Sequence, residues 1–456
     1  MLKPVLRPHV RRATAGRALA LAAAGIALAA LALRPAARAQ EPATPTTSPG
    51  APVLAPLTET LPSFAYTDGL LTAIPLRLGA AWPLGVMAPD SEVAYGITLF
   101  GFDTEAFAAE QGGFLTRHLE LVDGQATLGP AIVERVAREY SVGPRVLLAL
   151  LELSSGWVTN PAPAVTSAPM GGSATDLYGG LIEAADALNE AFYGWRAGGR
   201  AIQLGDGTWV EIPEGNAGTM AMHHWLARHA TLVDWSALQE PSRFWTTWVN
   251  LYGEDPVNFA GPINRPAPLP PAALALPFAA GPVWYFVQGP APAAGMRAAR
   301  AAVAFAPPPA DLPGCVPSVE PVRAMDDGII ARSDDVAVVL DLDGDGDEIS
   351  GWTVVYRHLS TVQRAPTGER VDTGDVLGYA SCDGGVEQTQ VSVARRFNGE
   401  WIAADDPEAP MVLGGWLAVP GEAAGEGTLV APGLTPRRAQ AARVDAENGL
   451  TALANP

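Results

Sequence analysis

The sequence predicts an α+β chain of two domains of unlike class, a mainly helical one followed by an all-β one. Three observations predict it. From about Thr58 to Pro256 the clearest apolar patterns repeat at helical spacing. Prolines then cluster between Pro262 and Pro277, marking a boundary. Beyond them the chain breaks into short β-type runs separated by Gly/Asp turns. A length of 456 residues accommodates two such domains.

Taken in order, residues 1–39 read as a secretory signal peptide. Lys3, Arg7, Arg11, Arg12 and Arg17 form a basic start, Ala18 to Leu33 an apolar run, and Ala37-Arg38-Ala39 a cleavage-type end. The run is shorter than the roughly 20 residues of a spanning helix, so no transmembrane helix is expected after signal removal. The expected location is extracytoplasmic, in the cell envelope or secreted. Residues 40–57, rich in Pro, Thr and Ser, are too poor in apolar content to fold and read as a linker.

In the helical domain, 58–260, Ile132, Val133, Val136, Ala137 and Tyr140 share one face, and Pro144 opens a second run through Leu153. Further helices are expected over 176–195, 216–229 and 243–251. Gln203 to Ile212, with Gly205-Asp206-Gly207 between alternating residues, predicts a hairpin. Residues 261–277 are a Pro-rich linker. The β domain, 278–431, has expected strands in 322–333, 336–343, 352–359, 371–379 and 389–403. Residues 432–456, Ala/Arg-rich and without a core pattern, read as a flexible tail.

The net charge is −19, and loss of the first 40 residues leaves 22 basic against 48 acidic residues, a net −26. The only lysine, Lys3, leaves with them. Such a surface excludes electrostatic binding of nucleic acid or an anionic membrane. Asp341, Asp343 and Asp345 have the D-x-D-x-D-G spacing that begins a calcium loop. Trp352 stands where that loop needs its bidentate Glu, so an acidic turn is the better reading and these three residues would hold calcium only weakly. His223, His224 and His229 lack a metal-binding spacing and read as ordinary helix histidines.

The stretch GWTVVYRHLS, RVDTGDVLGYASCDGG and QTQVSVARRFNGEW, Gly351 to Trp401, resembles the core sheet of LasA-like, lysostaphin-type (LytM) zinc endopeptidases. The resemblance implies a duplicated-hybrid-motif-like β fold, a zinc cofactor and a peptidoglycan substrate. It also implies that zinc is held by an early His, an Asp and the second His of a His-x-His strand. Those positions here are Ala291, Ala304 and Ser392, and the first His of the pair is Gln390. Only the His of the Tyr-x-His strand is kept, as His358. Three ligands and an open position make a catalytic zinc, so no zinc and no intact catalytic residue are expected. The resemblance also places a Cys at 315 and at 382, and in an exported chain the two are expected as one structural disulfide.

Tyr140 to Trp157, ending LELSSGW, resembles the start of lysozyme-like and lytic-transglycosylase domains, where the Glu before Ser-Gly-aromatic is the general acid. Ser154 stands at that position, and Glu152 lies two residues earlier. The expectation is an exported pseudoenzyme that binds peptidoglycan or a wall-remodelling partner. The alternatives are an active peptidoglycan metalloendopeptidase, a glycan-cleaving enzyme using Glu152, and a structural envelope protein. The oligomeric state is left open.

Overall fold

The computed structural model describes residues 60–67, 70–81, 87–212, 215–228, 230–231, 242–253, 264–295, 297–311, 314–316 and 318–452. The expected signal peptide and the linker at 40–57 lie outside them.

The first half begins with antiparallel strands β1 (Thr60–Thr67) and β2 (Leu70–Ala81). Then come α1 (Asp90–Val93), α2 (Thr104–Gln111), the hairpin β3 (Leu119–Val122) and β4 (Gln125–Leu128), α3 (Gly129–Tyr140), α4 (Pro144–Ser155) and α5 (Leu177–Arg196). The hairpin β5 (Ala201–Gln203) and β6 (Trp209–Glu211), α6 (Ala217–Ala227) and α7 (Ser242–Tyr252) complete it. Several helix boundaries have a local cause. Pro130 and Pro144 sit in the first turns of α3 and α4, where a missing N–H costs nothing. Asp176 and Asn216 cap α5 and α6 by accepting from Gly179 N (2.7 Å) and Thr219 N (3.1 Å). Ser141 ends α3 with φ 53°, and Gly156 ends α4 with φ 71°.

The five expected helices and the hairpin are all present. The strands β1 and β2 depart from a mainly helical reading of this half, although Asp68-Gly69 between two apolar runs is a strong hairpin signal.

The second half contains β7 (Trp284–Ala291), β8 (Ala302–Ala306), β9 (Pro321–Arg323), β10 (Gly328–Ser333), β11 (Ala337–Asp341), β12 (Trp352–Arg357), β13 (Arg370–Val371) and β14 (Val376–Tyr379). It continues with β15 (Val391–Phe397), β16 (Glu400–Trp401), β17 (Val412–Leu413), β18 (Trp416–Pro420), β19 (Gly427–Val430), β20 (Arg437–Arg438), the one-turn α8 (Asp445–Asn448) and β21 (Gly449–Leu450). The main sheet is antiparallel in the order β13-β10-β11-β12-β15-β8-β7-β21, with β16 folded back on β15. A second sheet runs β17-β18-β19-β20.

Both faces of the main sheet are buried. Val303, Phe305, Val338, Leu340, Val354, Tyr356, Val391 and Val393 join Leu413, Trp416 and Leu429 in one core. The alternate residues Ala302, Ala337, Val339, Val355 and Ala394 join a different core, that of Ile132, Val136, Leu181 and Ala184 from the helices. Strands buried on both sides read as continuous apolar runs rather than alternations, as AVVLD and WTVVYR do.

Two segments differ from the expectations drawn from sequence. Residues 264–277, expected as a linker, lie along the β half: Leu269, Leu274 and Leu276 are buried, Arg265 pairs with Asp406 (2.6 Å), and Pro270 O accepts from Trp352 Nε1 (3.0 Å). Residues 432–452, expected as a tail, add β20 and β21 to the two sheets. Buried Asn448 ties them down, its Nδ2 donating to Phe286 O, Gln440 O and Ala442 O. One polar side chain replaces the apolar pattern that would have announced a fold.

Candidate metal centre

The register brings the expected metal positions together. On β15, Ser392 lies opposite Ala304 of β8 on one side and Arg357 of β12 on the other. Ala302, two residues from Ala304 and on its face, lies opposite both Ala291 and Ala394. Ala291, Ala304 and Ser392 therefore share one face of three adjacent strands, as a ligand set must. Ala304 is fully buried, Ala291 is buried, and Ser392 is half-buried. Two methyl groups and a neutral hydroxyl offer no imidazole, thiolate or carboxylate, so these residues do not fit a zinc ion.

His358 and Gln390 lie beside this row. Gln390 is buried and donates its N–H to Ser381 O (3.1 Å). His358 ends β12 with φ 63°, and its carbonyl accepts from Ser381 N (2.7 Å). Its Nδ1 lies 2.6 Å from Asp383 O, which accepts only, so Nδ1 carries the proton. Burial pushes its pKa down despite that hydrogen bond. The side chain thus fastens the loop carrying Cys382. Cys315 and Cys382 form the expected disulfide, with a Cα–Cα distance of 5.4 Å.

The helical half reaches the same face. A helix leaves its last carbonyls unpaired, and those of α3 are met by donors from the sheet. Arg357 Nη2 donates to Glu139 O (3.0 Å), Trp401 Nε1 to Tyr140 O (3.2 Å), and Arg396 Nη1 to Ser141 Oγ (3.3 Å). Ser141 Oγ in turn donates to Gly399 O (2.5 Å). Two guanidinium groups at a helix C-terminus also match the sign of its dipole. Arg357 is the cross-strand neighbour of Ser392, so α3 contacts the strand next to that row.

Buried charges fix this arrangement. Glu348 accepts from Arg332 Nε (2.9 Å) and Nη2 (3.1 Å) and from Arg396 Nη2 (2.8 Å), with Arg138 of α3 at 3.5 Å. Burial pushes the Glu348 carboxyl up, but Arg332 and Arg396 outweigh it and hold the pKa at about 2. On the other side Arg196 of α5 bridges Glu400 (2.8 Å) and Asp90 (2.9 Å), and Trp401 N donates to Tyr193 Oη (2.9 Å). The joining residues Arg357, Arg396, Glu348 and Glu400 escaped the sequence reading. For Arg357 and Arg396 the one signal is charge at or inside otherwise apolar strand runs, as in VSVARRF.

In the acidic turn the carboxylates of Asp341, Asp343 and Asp345 lie within 4.8 Å of one another. Fully buried Asp341 accepts from Asp343 N (3.1 Å) and Gly346 N (2.7 Å), and burial with the neighbouring Asp343 pushes it up to about 7. Asp345 accepts from Asp347 N and Ser350 Oγ. Backbone and hydroxyl donors thus bind much of this cluster internally. In α6, His223 is buried and pushed down to about 4, while His224 lies 3.3 Å from Glu190. His229 is outside the described residues.

Ser154 is exposed at the end of α4. Glu152 is half-buried, and its carboxylate accepts from Val158 N (3.0 Å), Thr159 N (3.1 Å) and Thr159 Oγ1 (2.6 Å). It braces the following loop.

A helical half packed on a multi-stranded antiparallel sheet is the class this geometry defines. Comparison with family models matches residues 86–264 to LasA, N-terminal domain. The chain is LasA-like: its helical half matches that domain, and its sheet half carries the LasA-type motifs.

Among solved structures, the M23 metalloprotease pseudoalterin from the deep sea is similar at 19% identity over 37% of this chain and 95% of that one, TM-score 0.30. The catalytic domain of the antimicrobial peptidase lysostaphin from Staphylococcus simulans matches at 19% over 27% and 90%, TM-score 0.20. A catalytic-domain variant of the prophage-encoded M23 protein EnpA from Enterococcus faecalis matches at 19% over 31% and 97%, TM-score 0.19. Comparison with curated protein sequences finds no match.

Proposed function

We propose that this protein is an exported, non-catalytic relative of peptidoglycan endopeptidases that binds peptidoglycan or a wall-remodelling partner. The observation that carries the reading is the row Ala291, Ala304, Ser392, assembled in register on one sheet face without a metal-binding atom. Without the ion there is no Lewis acid to polarise an amide carbonyl and no lowered pKa for an attacking water. His358, turned through Nδ1 to Asp383 O, serves the loop. Export is supported by the basic-apolar start of the chain and by the disulfide, which suits an oxidising compartment. No described helix is long and apolar enough to cross a membrane.

The helical domain bears on where such binding takes place. With α3 and α5 packed on the sheet face, a ligand meets the outer surfaces of the molecule and the loops around His358 and Cys382, rather than the row itself. The lysozyme-like reading of the helices gains no catalytic acid here, since Ser154 cannot protonate a glycosidic oxygen and Glu152 is held by three donors. Co-sedimentation with purified sacculi tests the proposal. Retention above that of an unrelated acidic protein, with no soluble fragments released, is expected. Release of fragments by the purified protein, or no retention together with no captured wall protein, contradicts it.

A further inference from the structure

A cleft between the end of α4 and α7 has the chemistry of a site for a peptide carboxyl terminus. On α7, Phe244, Trp248 and Leu251 are buried at i, i+4 and i+7. The opposite positions Arg243, Thr246, Thr247 and Asn250 form a polar stripe at i, i+3, i+4 and i+7. That stripe faces Glu152, Leu153 and Thr159 across a cavity of about 480 Å3. A second cavity, of about 170 Å3, adjoins it and is walled by Met87, Leu153, Trp225, Leu226 and Phe244. Arg243 and Leu153 line both.

The two walls of the polar cavity carry opposite charge. Glu152 is fixed by its three loop donors, and its remaining lone pairs are acceptors for an incoming N–H. Among the described residues no acid pairs with Arg243, whose exposed guanidinium stands where the polar and apolar cavities meet. A planar, bidentate donor is the preferred partner of a carboxylate. Thr246 and Asn250 supply neutral donors and acceptors between the two charges. The smaller cavity has room for one aliphatic side chain next to that carboxylate, with Trp225 and Phe244 as its walls.

We infer that this cleft binds the free carboxyl terminus of a peptide, with Arg243 on the carboxylate, the last side chain in the Trp225–Phe244 cavity and the preceding amides along Thr246, Asn250 and Glu152. The inference stands independently of the wall-binding reading, since it concerns other residues and a defined small probe. Nothing in it involves the sheet.

Calorimetric titration of the full chain with N-acetyl dipeptides ending in alanine, valine or leucine, each as free acid and as amide, is the test. At least one free acid is expected to bind, with its amide about tenfold or more weaker, the loss of one charge-assisted pair. Arg243→Ala is expected to weaken that acid by a similar factor at an unchanged melting temperature, because the side chain is exposed, and Arg243→Lys to retain part of the binding. Equal binding of acid and amide, an Arg243→Ala variant as tight as the wild type, or no binding of any free acid overturns it.

Discussion

Strand β15 carries two chemistries four residues apart. At Ser392 its neighbours are Ala304 and Arg357, and the groups facing one another across β8 are small and neutral. At Arg396 the same strand buries a guanidinium against Glu348 and Ser141, and Trp401 meets the end of α3 beside it. The first region holds the row expected from resemblance as zinc-ligand positions, without a metal-binding atom. The second has the density of polar contacts that a buried joint requires, since each buried charge must be paired. One sheet face thus serves as a seat for the helical domain, and its buried polar contacts lie at the charged end rather than along the row of alanines.

Removing Glu348 is the strongest way to break that contrast. Glu348→Ala leaves buried Arg396 without a carboxylate and Arg332 with Asp334 alone, and a loss of about 3–5 kcal/mol is expected in urea unfolding. Ser392→Ala in the other region is expected to stay within about 0.5 kcal/mol. A comparable loss from both would erase the distinction.

Next in size is Tyr193→Phe, which strands the buried N–H of Trp401 and is expected to cost about 1–3 kcal/mol by the same measurement. Acid sharpens the comparison without mutation. The Glu348 pKa is held below its usual value of 4.5, at about 2, so its contribution is complete above pH 4.5 and is lost as the pH falls toward 2. Urea midpoints of wild type and Glu348→Gln are expected to converge over that interval, and a constant gap would contradict the ion-pair account. The smallest effect concerns the acidic turn, whose carboxylates already accept backbone donors. Millimolar calcium is expected to leave the melting temperature unchanged, and a rise would reveal binding.

Much of this was legible in the sequence. The helices α3 to α7 follow from apolar periodicity and from Pro130, Pro144, Asp176 and Asn216 at their starts, all local signals. The vestigial row was legible only through resemblance, and the register joins its members because alternation along β8 and β15 is a fixed period of two. The helix-to-sheet joint was illegible for a physical reason. Arg396 and Glu348 are 48 residues apart and Trp401 lies 261 from Tyr140, and neither composition nor spacing pairs groups across such distances. The last strands were hidden differently, because β20 and β21 are two residues each and owe their place to Asn448.

Metal content shows whether the row Ala291, Ala304, Ser392 holds zinc. The purified protein is incubated with zinc, dialysed and measured by mass spectrometry. Zinc far below one ion per chain is expected from side chains that offer no ligand, whereas one zinc retained per chain would contradict that and return peptidase chemistry to this sheet.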